Sequence, residues 1–213
     1  MPDLNFQVKG VEAPRFAATP QLAFKLHIAN ADATELIHSI TLRCQIRLEV
    51  TRRRYGTDEQ VRLRDLFGEP EQWKDTLRSM LWTHANVIVP PFTGSTVVDL
   101  SVPCTYDFNI AATKYFYALE DGDIPLLFLF SGTVFYAAET GALQVAQIPW
   151  DREATFRLSV QVWQNMIDHY YPNSAWLYLQ RDVFDRLYQY KLRRGLPTWE
   201  QVVASLLPTE VEA

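Results

Sequence analysis

The chain has 213 residues, 48% of them apolar, which is enough to bury a sizeable core and excludes an intrinsically disordered protein. Its formal net charge of -5, with both signs interspersed, argues against general binding to nucleic acid or to an anionic membrane. The amino end lacks a leader pattern and no apolar run reaches the length of a membrane span, so we expect a soluble, cytoplasmic protein. Cys44 and Cys104 lie far apart without Cys-x-x-Cys spacing, which favours two free thiols over a disulfide or a zinc site.

Alternating apolar and polar residues, the pattern of a strand with one buried face, recur along most of the chain. They predict strands at residues 6–11, 22–28, 40–50, 85–89, 96–106, 110–119, 143–148 and 156–160. After the third of these strands, Thr57 followed by Gln60 predicts a capped helix that ends at Phe67, because Gly68 stops it. Residues 73–82 have a partly helical spacing.

The stretch 124–136 differs from these strands because its first half is apolar at both odd and even positions. Such a run predicts a strand that is covered on both faces. An Asp-Gly turn at 120–123 precedes it and predicts a hairpin between the strands at 110–119 and 124–136. A second turn of this kind is predicted at 139–141.

Beyond residue 160 the apolar spacing becomes helical and predicts helices at 162–170, 183–194 and 199–207. Gly195 fits a C-terminal cap after the second of them. Thr198 with Gln201 fits an N-terminal capping box before the third.

Strands followed by helices, with no helix between most successive strands, predict an α+β, mostly β protein. We expect an antiparallel β-sandwich of the immunoglobulin-like class, with the C-terminal helices packed on one sheet. The sandwich would span residues 1–160, with a short inserted helix around 58–67, and the helical cap would span 161–213. Together they are expected to form one compact unit.

A basic segment after the strand at 40–50 is a candidate binding site. It consists of Arg52, Arg53, Arg54 and Tyr55. Clustered guanidinium groups bind phosphate or carboxylate in forked geometry, so the segment would dock an anion or a partner protein. The commoner interpretation of such a run is a solvated strand end.

The turn at 120–123 is a weak candidate for a metal site. Its carboxylates, Glu120, Asp121 and Asp123, surround one glycine and would offer oxygen ligands to Ca²⁺. The twelve-residue loop with its distal bidentate Glu is missing, which favours a plain turn.

The remaining polar and aromatic residues show no catalytic or cofactor pattern, and we predict no cofactor. The histidines lack metal-ligand spacing: His27, His38, His84 and His169. Six tryptophans would suit a carbohydrate-binding surface if they were exposed and coplanar. However, Trp73, Trp163 and Trp199 fall at predicted helix faces or starts, where core packing explains them.

Several short segments carry a resemblance to a known family. They are Arg-Cys-Gln-Ile-Arg at 43–47, Leu-Phe-Gly-Glu-Pro at 66–70, Pro-Cys-Thr-Tyr-Asp at 103–107, Leu-Glu-Asp-Gly at 119–122, Leu-Phe-Ser-Gly-Thr-Val-Phe at 129–135 and Pro-Thr-Trp at 197–199. Over nearly its whole length the sequence resembles the bacterial domain-of-unknown-function family 6084. That family has no assigned reaction or catalytic residues. The resemblance implies an accessory role near nickel-iron hydrogenases and their maturation proteins, by analogy only.

We therefore expect a non-enzymatic protein-binding, accessory or assembly module whose partner is another protein. One alternative is a hydrolase or metal-dependent enzyme whose residues meet only in three dimensions, such as His38, His84 or His169 with Asp107 or Asp123. The other alternative is a carbohydrate-binding sandwich. The sequence leaves the oligomeric state open.

Overall fold

The computed structural model describes residues 2–107, 109–138 and 141–207. Within these ranges nine strands form two antiparallel sheets, accompanied by six α-helices. The protein is therefore α+β and mostly β, as the sequence predicts. None of the described helices is long and apolar enough to span a membrane.

The elements follow one another with short connections. The strands are β1 (Leu4–Glu12), β2 (Gln21–Asn30), β3 (Leu36–Leu48), β4 (Met80–Val89), β5 (Phe92–Thr93), β6 (Ser95–Pro103), β7 (Asp123–Ala137), β8 (Leu143–Gln147) and β9 (Glu153–Ser159). The helices are α1 (Thr57–Phe67), α2 (Trp73–Thr76), α3 (Ile110–Ala118), α4 (Val160–Tyr170), α5 (Arg181–Arg194) and α6 (Trp199–Leu206). The predicted turn at 139–141 lies mostly outside the described residues, although β7 and β8 on either side of it pair antiparallel.

The strands form a small and a large sheet. The small sheet has the order β1-β2-β6. In the large sheet β3 and β7 pair along most of their length, and β4 and β5 pair with the other side of β3. β8 and β9 pair with successive halves of β7, so the long central strand organises the large sheet.

Aromatic and aliphatic side chains fill the space between the two sheets. The ring of Phe24 in β2 lies 5.2 Å from that of Phe128 in β7, between centroids, and Phe6 in β1 stacks on Phe130 at 4.4 Å. Cys44 in β3 is fully buried in the same core. These contacts join the small sheet to the large one and confirm the predicted antiparallel sandwich.

Strand β7 is the strand predicted at 124–136, and its two faces differ in burial. Five even-numbered side chains are buried in the core: Ile124, Leu126, Phe128, Phe130 and Val134. Leu127 and Leu129 on the opposite face are only half-buried. The cover over that second face is thus less complete than the apolar run predicts.

The predicted strand at 110–119 is wrong, because these residues form α3. Asn109 caps the helix by accepting a hydrogen bond from the Ala112 N–H at 3.0 Å. Its amide group also donates to the Trp82 carbonyl of β4 at 2.8 Å. The buried residues Ala112, Tyr115 and Phe116 have helical spacing, which the alternating pattern concealed. The predicted hairpin is therefore wrong as well, since the turn at 120–123 joins a helix to β7.

The chain divides into two compact units, Met1–Ser174 and Ala175–Ala213. Helix α4 belongs to the first unit, where Trp163 packs on Phe116 of α3 with ring centroids 5.1 Å apart. The boundary between units thus falls after α4 rather than at residue 160. Helices α5 and α6 form the second unit, and the packing of these two helices on the sandwich stays a prediction.

Candidate functional site

The predicted basic segment lies between β3 and α1, and its three arginines differ in exposure. The Arg53 side chain is 7% exposed, whereas that of Arg52 is 63% exposed and lies 3.5 Å from the Glu49 carboxylate. Arg54 is exposed. Only Arg52 and Arg54 therefore present a guanidinium group to solvent.

Arg53 brings the basic segment and the turn at 120–123 together. Its guanidinium donates to the carbonyl of Asp123 at 2.8 Å and to the carbonyl of Asp121 at 2.7 Å. It also donates to the Glu59 carboxylate at 2.6 Å. Gly122 has φ of +72°, and a Cβ there would lie 3.2 Å from the Arg53 Nη1. Two carbonyls of the turn therefore bind a cation that the protein itself supplies.

Glu59 completes this buried ion pair, and it is the residue that sequence reasoning missed. Its carboxylate accepts hydrogen bonds from the N–H groups of Gly56 and Glu120, each at 3.0 Å. Burial opposes ionisation, but these N–H groups and the Arg53 guanidinium offset it and hold the pKa of Glu59 below its usual value. The helix cap is thus formed by Gly56 with Glu59, one residue before the predicted pair. A Glu in the first turn after a glycine was the available signal.

Two tyrosines extend the network into the core. The Tyr55 hydroxyl donates to the Val50 carbonyl at 2.7 Å and lies 3.0 Å from the Tyr115 hydroxyl of α3. Burial raises the pKa of Tyr115 to about 12 and also raises that of Tyr55. Both hydroxyls therefore stay protonated at neutral pH. The network joins the end of β3 to α1, α3 and the start of β7, which is a structural role for Arg53 and Tyr55.

The residues of the alternative functions are scattered in the structure. Within residues 2–107, 109–138 and 141–207, no three His, Cys, Asp or Glu side chains are grouped as a metal site requires. Both cysteines are buried free thiols, and burial raises the pKa of Cys104 to about 12. Such thiols are poor nucleophiles. Trp73, Trp82 and Trp163 are buried, so they are not available to stack on a sugar.

The second unit presents a surface that sequence reasoning did not single out. Helix α5 has no buried residue, and α6 buries only Val202. Trp199 lies 5.3 Å from Phe184 and 6.3 Å from Tyr188, between ring centroids, and all three side chains are partly exposed. The ammonium group of Lys191 lies 5.9 Å from the Trp199 ring. We call these four residues the aromatic cluster.

An open cavity of about 700 Å³ lies beside α5 in the same unit. Its lining combines apolar side chains such as Leu187 and Leu206 with the polar groups of Arg186, Tyr190 and Arg193. The helical periodicity of the sequence identified the two helices. It did not identify which of their apolar residues stay exposed.

The fold and the described side chains together define a mostly β sandwich protein with a separate two-helix unit. The chain belongs to DUF6084, a family of unknown function, whose sequence profile matches residues 1–213. This confirms the resemblance seen in the sequence. No curated protein matches the chain significantly.

Three solved structures show distant similarity. The solution structure of a late embryogenesis abundant (LEA) protein is 14% identical with a TM-score of 0.32, covering 75% of this chain and 72% of that chain. The ApaA protein from Bordetella pertussis is 12% identical with a TM-score of 0.25, covering 74% and 93%. Beta-glucosidase 3B from Thermotoga neapolitana, in complex with alpha-D-glucose, is 8% identical with a TM-score of 0.24, covering 73% and 17%. At these TM-scores the similarities carry no functional argument.

Proposed function

We propose that this protein is a non-enzymatic protein-binding module with an accessory or assembly role. The observation that carries the proposal is the exposure of the second unit, whose two helices bury only Val202. A segment of this size cannot bury enough surface to form a core of its own. Large exposed apolar patches on soluble proteins commonly mark interaction sites. The aromatic cluster is the centre of the proposed docking surface.

The charges of the second unit indicate the chemistry of the partner. Five basic residues lie in α5: Arg181, Arg186, Lys191, Arg193 and Arg194. The described part of the unit has only three acidic residues, although the whole chain is acidic. The best fit is a partner with an apolar patch and an acidic margin, since aromatic anchors bind in the centre of an interface and charges steer its rim.

Arg52 and Arg54 remain in the proposal as a secondary docking site. The link to nickel-iron hydrogenase systems, the bacterial source and the cytoplasmic location rest on the resemblance and the sequence. The expectation that nucleic acid is not a partner also rests on the sequence. A metal-dependent enzyme is the alternative, and elemental analysis of the purified protein would favour it if a metal were present in stoichiometric amount.

Affinity purification of the full chain from its host tests the proposal. We expect a partner that copurifies with the wild type and with Ile88→Glu, an exposed position on β4. The same partner should be lost with Phe184→Glu, because a charge in the aromatic cluster would have to be desolvated on binding. With the purified partner, Phe184→Glu should raise Kd at least about tenfold, or about 1.4 kcal/mol.

Two results would overturn the proposal. One is a partner that binds Phe184→Glu and the wild type equally well while both variants keep normal circular dichroism. The other is the absence of any partner that distinguishes wild type from Phe184→Glu. Loss of binding with Arg52→Ala and Arg54→Ala, but not with Phe184→Glu, would move the docking surface to the basic segment.

A further inference from the structure

Strand β8 lies at the edge of the large sheet. It pairs with β7 on one side, and no strand of the described residues pairs with its other side. Natural proteins protect such edges with charged residues, proline or a covering segment, because the free backbone groups would otherwise pair with another strand. The sequence of β8 is Leu-Gln-Val-Ala-Gln, which contains neither a charge nor a proline.

The ladder with β7 determines which backbone groups of β8 are free. The Ile148 N–H donates to the Gly132 carbonyl at 2.9 Å, and the Ala138 N–H donates to the Ala142 carbonyl at 2.8 Å. Bonded residues alternate in an antiparallel ladder, so the even-numbered residues of β8 bond to β7. Leu143, Val145 and Gln147 therefore direct their N–H and C=O groups toward the open edge.

The side chains along this edge are unusually apolar and exposed. Leu143 is 61% exposed and Val145 is 56% exposed. Trp150, in the turn between β8 and β9, is 92% exposed. Val145 lies opposite Phe135 of β7, which is only half-buried. An apolar patch thus accompanies the free backbone groups, as expected for an interface that includes a strand edge.

We propose that β8 pairs with β8 of a second copy of this chain, antiparallel about a two-fold axis through Val145. In this register Val145 lies opposite its own copy, and Leu143 lies opposite Gln147. Each of these residues has outward N–H and C=O groups, so every outward N–H lies opposite a C=O acceptor of the other copy. The large sheets of the two copies then form one continuous sheet.

A second copy fits this edge for two reasons. An uncharged strand meets its copy without the repulsion that opposed like charges would cause. A two-fold axis perpendicular to the sheet also keeps equivalent faces on the same side, so Leu143 and Val145 of both copies form one apolar patch. A five-residue strand pair buries less than the ~800 Å² per partner of a standard interface, so the dimer should be reversible and dependent on concentration.

Cysteine cross-linking tests the register. Residues directly opposite in a bonded antiparallel pair have Cα atoms about 5.5 Å apart, within the range for a disulfide. Mild oxidation of Val145→Cys should therefore give covalent dimers. The matched control is Gln147→Cys, whose two copies would be about 13 Å apart along the strands and should stay monomeric. Cross-linking of Gln147→Cys in place of Val145→Cys, or of neither variant, overturns the pairing.

Sedimentation velocity over a wide concentration range tests the dimer itself. The wild type should form dimers, and Val145→Lys should raise the dimer dissociation constant at least about tenfold, because two lysines would face each other across the axis. Ile88→Lys, on the strand at the opposite edge of the sheet, should leave that constant unchanged. A wild type that stays monomeric overturns the proposal, even if it binds a strand from another protein. A dimer that survives Val145→Lys also overturns it.

The dimer and the proposed function are separable. Val145→Lys changes only the strand edge, so it should still bind the partner of the second unit. Phe184→Glu should still dimerise. The experiments can therefore refute the dimer without refuting the docking surface of the second unit, and the reverse.

Discussion

The ion pair between Arg53 and Glu59 allows the sharpest stability prediction. We expect Arg53→Met to destabilise the protein strongly, since methionine keeps much of the side-chain length but cannot donate a hydrogen bond. Three hydrogen bonds are lost, to the Glu59 carboxylate and to the carbonyls of Asp121 and Asp123. The Glu59 charge then stays buried with only the N–H groups of Gly56 and Glu120 to stabilise it.

The expected decrease in the free energy of unfolding of Arg53→Met has two contributions. Removing one partner of a buried ion pair costs about 3–5 kcal/mol, and each carbonyl that loses its donor adds about 1 kcal/mol. The two remaining N–H donors of Glu59 reduce the first contribution. The Arg53 Nε is buried without a hydrogen-bond partner, and this also reduces the stability that the ion pair contributes in the wild type. We therefore expect a net loss of about 3 kcal/mol.

The assay is urea unfolding at neutral pH, followed by the fluorescence of the buried tryptophans. Arg52→Met is the matched control, because the Arg52 side chain is 63% exposed and its pair with the largely buried Glu49 should contribute less than about 1 kcal/mol. Adding Glu59→Gln to Arg53→Met should recover part of the loss, with a coupling energy of about 2 kcal/mol. If Arg53→Met loses no more stability than Arg52→Met, the pair behaves as a solvated surface pair and our account of the site fails.

Three further predictions concern the core, the pH dependence and a helix cap. Phe128→Asp should prevent folding, because it places an unpaired charge in the sandwich core. The control Ser131→Asp, on the exposed side of the same strand, should melt nearly as the wild type does. Similar melting curves for the two variants would refute the architecture. Because the pKa of Glu59 is lowered in the folded state, its contribution to stability is complete above its unfolded pKa of about 4.3 and is lost as the pH falls further. Urea midpoints measured against pH should thus fall less steeply in acid for Glu59→Gln than for wild type, and parallel curves would contradict this. Asn109→Ala should cost about 1–2 kcal/mol in the same assay, through loss of the α3 cap and of the bond to Trp82, and no change would remove the capping role.

The Arg53 network explains why the sequence pattern suggested two separate sites. Arg53 and Asp121 are far apart along the chain, and each belongs to a cluster of like charges that resembles a binding site when considered alone. In the folded chain Arg53 pairs with Glu59 and donates to the backbone carbonyls of Asp121 and Asp123, so it is not available to a ligand. A charged residue in a sequence cluster therefore predicts a ligand only if no other group of the same chain already binds its charge.

The sequence by itself determined most of the strands, four of the six α-helices and the sandwich class. These features depend on the spacing of apolar residues and on caps such as Gly195 and Thr198, whose partners lie within a few positions along the chain. The error at 110–119 has the same local origin. Its aromatic residues suit a strand, and only the cap at Asn109 distinguishes the helix locally.

Only the tertiary structure decided which surfaces stay exposed. The burial of Arg53, the exposure of the aromatic cluster and the free edge of β8 each depend on what packs against them from elsewhere in the chain. Periodicity reports which face of an element is apolar. It contains no information about the element that covers that face, because non-local contacts are set by the packing of the whole chain.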